Sequence, residues 1–160
     1  MVTVEIIALG KLKESYWREA MEEYKRRLSR FCQLEIYELP AVRLSENPSS
    51  AEIEGALEKE SQKIFEKLDL SALKIALCIE GKTMSSEAFA DFIDGKMIEG
   101  KSKIQFFIGS SFGLSEEVKR KADIRLSFSP MTFPHQMMRV MLIEQIYRAF
   151  SILGNGKYHK

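Results

Sequence analysis

Ile104-Gln105-Phe106-Phe107-Ile108-Gly109-Ser110-Ser111-Phe112-Gly113-Leu114-Ser115-Glu116-Glu117 is the stretch on which the fold turns. Residues 104–108 are an apolar run of the kind that forms a strand buried on both faces. Two glycines then break the chain within five positions. Ser115, followed by Glu116 and Glu117, reads as the cap of a short helix reaching about Ala122, with its acidic residues at the positive end of the dipole. A buried strand, a glycine loop and a capped helix in that order belong to a parallel α/β sheet.

The flanking sequence repeats the alternation. Residues 2–9 are β-branched and apolar, and Gly10 ends them. Residues 15–29 place Trp17, Met21, Tyr24 and Leu28 at helical spacing. Residues 33–39 read as a more exposed strand stopped by Pro40. Residues 41–50, with Pro48 and small polar residues, read as a loop and as the most mobile part of the chain. Residues 51–68 form a second helix, 73–79 a buried strand, and Ser85 caps a helix through Ile98. A last strand at 124–128 precedes a helix opened by Pro134 at its first position and running to about Leu153. The expected architecture is α/β, a mostly parallel sheet with helices on both faces, in one domain over residues 1–160.

Composition excludes several classes. The chain carries 24 basic and 23 acidic residues, a net charge of +1, so it does not coat nucleic acid by bulk charge. The local distribution is uneven. Residues 11–30 hold seven basic against four acidic residues, with Lys25, Arg26, Arg27 and Arg30 close together. Residues 130–160 hold four basic residues against Glu144 alone. Such runs are ordinarily solvated faces; two of them also make an RNA-contacting surface, doubled in a dimer. Cys32 and Cys78 have no zinc spacing and read as free thiols in a reducing, cytoplasmic setting. No run approaches the ~18 apolar residues of a membrane span, and the N-terminus lacks the features of a signal peptide.

Ligands of parallel sheets bind beyond the carboxyl ends of the strands. Three loops qualify: 77–82, 108–115 and 128–135. The middle one matches neither GxxxxGK[ST] nor GxGxxG, and Glu116 and Glu117 stand where a phosphate needs positive potential, so phosphate binding is disfavoured. A turn requiring positive φ explains its glycines equally well. Neutral adenine or ribose suits such a loop. The final helix is apolar nearly all round, so it is either enclosed within the monomer or shared with a second subunit; its length in a chain of this size favours a homodimer. Within it, Glu144 is spaced to pair with Arg148. Arg139 has no acidic residue three or four positions away, and it reads as a contact for a substrate phosphate or carboxylate. His135, at the helix start, reads as a solvated or hydrogen-bonded imidazole. It makes no metal site with His159.

The chain resembles the small SPOUT-class methyltransferases of the ribosomal RNA large subunit methyltransferase H family. The resemblance is carried by Ile6-Ile7-Ala8-Leu9-Gly10-Lys11, Gly81-Lys82, Ile108-Gly109 with Gly113-Leu114-Ser115, and Met131-Thr132-Phe133-Pro134-His135. It continues through Arg139-Val140, Ile143 to Phe150, and Tyr158-His159-Lys160. It covers essentially the whole length.

The resemblance implies S-adenosylmethionine as methyl donor and N3 of a pseudouridine in a stem-loop of 23S rRNA as acceptor, on the assembled ribosome. It also implies a homodimer, no metal, and a C-terminal trefoil knot, a rare exception to ordinary connection rules. By position it implies cofactor contacts at Leu77, Gly109, Phe128, Ser129, Pro130, Met131, Thr132 and Phe133. Arg139, Tyr158 and His159 become the catalytic candidates, and Arg139, Lys160 and Arg26 the substrate-side ones, with the tail acting near the active site. One departure stands out. Relatives commonly carry glycine where this chain has Ser110, whose side chain is expected to narrow the approach to the cofactor. Two other readings remain: a non-catalytic RNA- or ribosome-binding module, and a methyltransferase acting on tRNA.

Overall fold

The strand β1 (Thr3–Leu9) alternates its side chains between two hydrophobic cores, and that alternation sets the layers. Val4, Ile6 and Ala8 enter the larger core; Ile7 and Leu9 enter the smaller one. All five are essentially inaccessible to water. Burial of each large side chain among them contributes about 1.5–3 kcal/mol. The computed structural model describes residues 1–154.

The other elements follow in chain order: α1 (Ser15–Leu28), β2 (Gln33–Leu39), α2 (Ser50–Lys67), β3 (Leu73–Thr83), α3 (Ser86–Ile98), β4 (Lys103–Ile108), α4 (Glu116–Lys121), β5 (Ile124–Ser127) and α5 (His135–Leu153). The five strands form one parallel sheet in the order β2-β1-β4-β3-β5. Helices α1, α3 and α5 pack together over the larger core, and α2 and α4 over the smaller one. The expected parallel α/β sandwich is therefore present.

Local chemistry explains the helix starts. The Ser49, Ser85 and Ser115 side chains each accept a hydrogen bond from the backbone N–H three residues on, and Ser49 with Glu52 completes a capping box. Pro134 sits one position earlier than expected. It is the residue before the first helical turn, with ψ of 141°, and His135 begins α5.

Strand β3 differs more. It continues past residue 79 to Thr83, but not regularly: Leu126 of β5 stands opposite both Leu77 and Lys82. Residues 78–81 thus leave the pairing and return to it. β5 in turn ends at Ser127, so Phe128 belongs to the loop that follows.

The apolar character of α5 is only partly accounted for within the monomer. Leu142, Ile143, Ile146 and Phe150 are buried between the sheet and the neighbouring helices. Met137, Met138, Val140 and Met141 remain half-buried.

Candidate ligand cleft at the strand ends

Beyond the carboxyl ends of β3, β4 and β5 the three loops enclose a cleft of about 360 Å3. That volume lies within the range of small-molecule sites. The β3 excursion supplies Cys78, Ile79 and Glu80; the β4 loop supplies residues 109–114; the β5 loop supplies residues 128–133 except Pro130. Of the eight positions expected to line a cofactor site, seven meet here. Pro130 is the exception. His135 and Met138 complete the wall from the first turns of α5.

The middle loop owes its shape to two glycines with different duties. A Cβ on Gly109 would collide with the backbone of Gly113 and Leu114, so Gly109 is there for close approach. Positive φ is needed at Gly113 instead, at 78°. The amide of Gly113 closes the turn on the Ser110 carbonyl at 2.8 Å. The Ser110 side chain donates to the Oε1 of Glu60 on α2 at 2.9 Å. Its oxygen is thus engaged by a buried carboxylate. The other Glu60 oxygen accepts the amide of Val42 at 3.0 Å, which ties down the loop expected to be the most mobile.

The cleft carries few charges. Lys119 pairs with Glu80 across its rim at 2.5 Å, which keeps the Glu80 carboxyl below its usual range. For Lys119, burial pushes the ammonium down, and the Glu80 contact more than offsets it. His135 is held below its usual range by burial and by the nearby Arg139 charge, against a smaller opposing effect of Glu14. Burial, followed by Glu80, raises the Cys78 thiol. With its one lysine already paired to carboxylates, this lining does not suit a polyphosphate. Apolar walls, from Leu77, Ile108, Leu114 and Leu126, suit a planar heterocycle. Ile79, Phe112 and Met131 are exposed hydrophobics that line the same cleft, the marking expected of a binding mouth.

The remaining candidates are not gathered here. Arg139 is 1% exposed and does not line the cleft. Its Nη1 meets Glu38 at the end of β2, and its Nη2 donates to the Gly10 carbonyl at 3.1 Å. The acid it lacks on its own helix is supplied by another strand. Arg26 lies on exposed α1, paired with Glu23 at 2.7 Å, beside a separate hollow formed with Arg27, Ser29, Arg30 and Tyr147. Glu144 and Arg148 pair as spaced, at 2.7 Å. Tyr158, His159 and Lys160 lie outside the described residues. Cys78, Glu80 and His135 belong to the loops expected from topology and line the cleft, although no cofactor role was assigned to them individually.

Among the described residues, no group of three or more His, Cys, Asp or Glu could hold a metal ion, and no helix is long and apolar enough to cross a membrane.

Comparison with known proteins gives a consistent picture. The family described as "Predicted SPOUT methyltransferase" matches residues 2–159. The ribosomal RNA large subunit methyltransferase H of Carboxydothermus hydrogenoformans is 48% identical over 157 residues, which cover 98% of this chain and 99% of that one. Two solved structures share the fold at low identity. A probable methyltransferase from Bordetella pertussis has a TM-score of 0.59 at 15% identity, covering 93% of this chain and 96% of that one. A probable methylase family protein from Haemophilus influenzae has a TM-score of 0.57 at 17% identity, covering 98% and 70%.

Proposed function

The chain belongs to the SPOUT methyltransferase family, and from that membership we propose that it methylates N3 of a pseudouridine in 23S rRNA, with S-adenosylmethionine as donor, as a cytoplasmic homodimer acting on the assembled ribosome. The observation that carries this reading is the convergence of Leu77, Gly109, Phe128, Ser129, Met131, Thr132 and Phe133 on one cleft. These are the positions that the resemblance implies as cofactor contacts, and they come from three separate loops.

The residues present fit that donor. The cradle made by Gly109 would be filled by any Cβ, the apolar walls suit adenine, and the scarcity of free cations matches a ligand without phosphates. When bound, S-adenosylmethionine supplies an electrophilic methyl group on a sulfonium sulfur. The chain's part is then orientation and proton removal. With that donor bound, the chain's residues would hold the acceptor nitrogen in line with the methyl group and take up the proton it loses. Two histidines are candidates for the proton: His159 of the tail, and His135, whose lowered pKa leaves it neutral at pH 7 with one ring nitrogen free to accept. Arg139 contributes by position in this reading, joining α5 to the Gly10 turn. Tyr158 and Lys160 act with His159 on the substrate side, and Arg26 holds RNA backbone.

The half-buried methionine face of α5 supports the homodimer. The trefoil knot is part of the same proposal, as the family resemblance implies.

The test is incubation with labelled donor and ribosomes, free rRNA or tRNA, followed by nucleoside mapping. Label in pseudouridine of the large-subunit RNA is expected. Label confined to tRNA would replace the substrate assignment, and absence of donor binding at millimolar concentration would favour a non-catalytic module.

A further inference from the structure

A second cleft, of about 300 Å3, adjoins the first. Its floor is α2, its outer side is the loop of residues 41–48, and one end is the Gly10 turn. The two clefts share a wall made of Ser110, Ser111, Phe112 and His135. Nothing in the cofactor reading uses this space.

Three features narrow what it takes. The first is position. Methyl transfer requires the acceptor atom to reach the donor at near-contact distance, so the acceptor site must adjoin the donor site, and four residues line both clefts. The second is charge. Among the described residues the charged or titratable groups lining it are Glu46, Glu60 and His135, with no lysine or arginine. A phosphate is unsuited to such a lining; an uncharged base is not. The third is hydrogen-bonding character. Glu46 and the Ser111 hydroxyl offer acceptor oxygens to the cleft, whereas the Ser110 and Ser45 hydroxyls are engaged with Glu60 and Glu52. Both Glu60 oxygens are engaged, by Ser110 and Val42, so Glu60 holds the cleft's shape. Glu46 is exposed at its mouth. Phe112, 47% exposed on the shared wall, offers a ring face for stacking.

We infer that the second cleft seats the acceptor base of the RNA, flipped out of its strand, with Phe112 stacking on the ring and Glu46 accepting one of its N–H groups. The inference rests on the methyl-transfer reading and adds a reason for substrate choice. A uracil ring attached through nitrogen offers one N–H, whereas the carbon-linked pseudouracil ring offers two. A carboxylate acceptor at Glu46 beside the donor favours the latter.

The test uses residues that line only the second cleft. Leu44→Trp fills it and Glu46→Gln removes the carboxylate while keeping the size. Donor affinity is measured calorimetrically with S-adenosylhomocysteine, and RNA KM and turnover on ribosomes. Both variants are expected to bind S-adenosylhomocysteine as the parent does. Leu44→Trp should lose methylation, and Glu46→Gln should raise KM about tenfold, the factor corresponding to ~1.4 kcal/mol, with less preference for pseudouridine over uridine at the target position. Parental KM and turnover in both variants would overturn the cleft assignment and leave the proposed reaction standing. A parent enzyme that methylates no RNA would overturn both.

Discussion

Arg139 of α5 and Glu38 of β2, 101 positions apart in the chain, form a 2.5 Å ion pair in which only one partner is shut away from water. The Arg139 side chain is 1% exposed and that of Glu38 36%. The two ends of the pair are therefore not equivalent. Removing Glu38 leaves a buried guanidinium without its counter-charge, the situation that costs about 3–5 kcal/mol. Removing Arg139 leaves a carboxylate that water can reach. Glu38→Ala is expected to destabilise by about 3 kcal/mol, and Arg139→Met by about half as much, in urea unfolding monitored by tryptophan fluorescence. Equal losses would show that the asymmetry of burial does not govern the pair.

Gly109→Ala places a methyl group into the backbone of residues 113 and 114. Because the obstacle is main chain, the loop itself must shift. An overpacking cost of about 3 kcal/mol is expected, with at least a tenfold weaker Kd for S-adenosylhomocysteine. Calorimetry on the folded variant reads the affinity directly. Gly55→Ala, where a Cβ meets nothing, should leave both quantities unchanged.

The two cysteines should report on different parts of the molecule. Burial pushes the Cys32 thiol up to about 11, so it reacts with thiol reagents only on unfolding. Cys78 is partly accessible and lines the cleft. Labelling at pH 8 should modify Cys78 first and slowly, and saturating S-adenosylhomocysteine should slow it further. Labelling of Cys78 at the same rate with and without ligand would place the ligand elsewhere.

His135 gives an acid-side signature. Its folded pKa lies below the ordinary value of ~6.5. Above that value both states are neutral and stability is unaffected. As pH falls through it the unfolded chain takes up the proton first, so stability drops until the folded pKa is also passed. His135→Gln should abolish this component between pH 7 and 5. Asp69 acts in a lower window: hydrogen bonds from Ser71 and then Lys103 depress its carboxyl, so its stabilisation is complete above pH ~4 and is lost as pH falls further. Urea midpoints at pH 7.5, 5 and 3.5 separate the two.

Deletion of residues 158–160 distinguishes the proton acceptors. If His159 takes the proton, turnover should fall by about 10²–10⁴-fold while S-adenosylhomocysteine affinity holds. Unchanged turnover would remove the tail from the chemistry and leave His135 as the acceptor.

What could be read from the residues divides along the range of the forces involved. Strands and helix starts depend on near neighbours, so the Ser85 and Ser115 caps and the β2 boundaries agree with the structure. The loops lining the cleft follow from parallel topology. The partner of Arg139 was not legible because Glu38 lies on another strand, beyond any helical spacing. The β3 excursion was equally hidden: Glu80, Gly81 and Lys82 look like a strand end, and only the pairing of both Leu77 and Lys82 with Leu126 shows that the strand resumes. Ser110 was expected to crowd the cleft, and its bond to Glu60 depends on a helix fifty positions earlier.

The strand order also has a consequence for how the chain comes to be made. Thr3 of β1 pairs with Gln33 on one side and with Lys103 on the other. At about 5–20 residues per second, translation needs roughly 5–20 s to deliver β4 after β1 has emerged. Throughout that interval one edge of the most apolar strand has no neighbour, an open template for pairing with other chains. The nascent polypeptide thus depends for several seconds on being kept apart from its own copies.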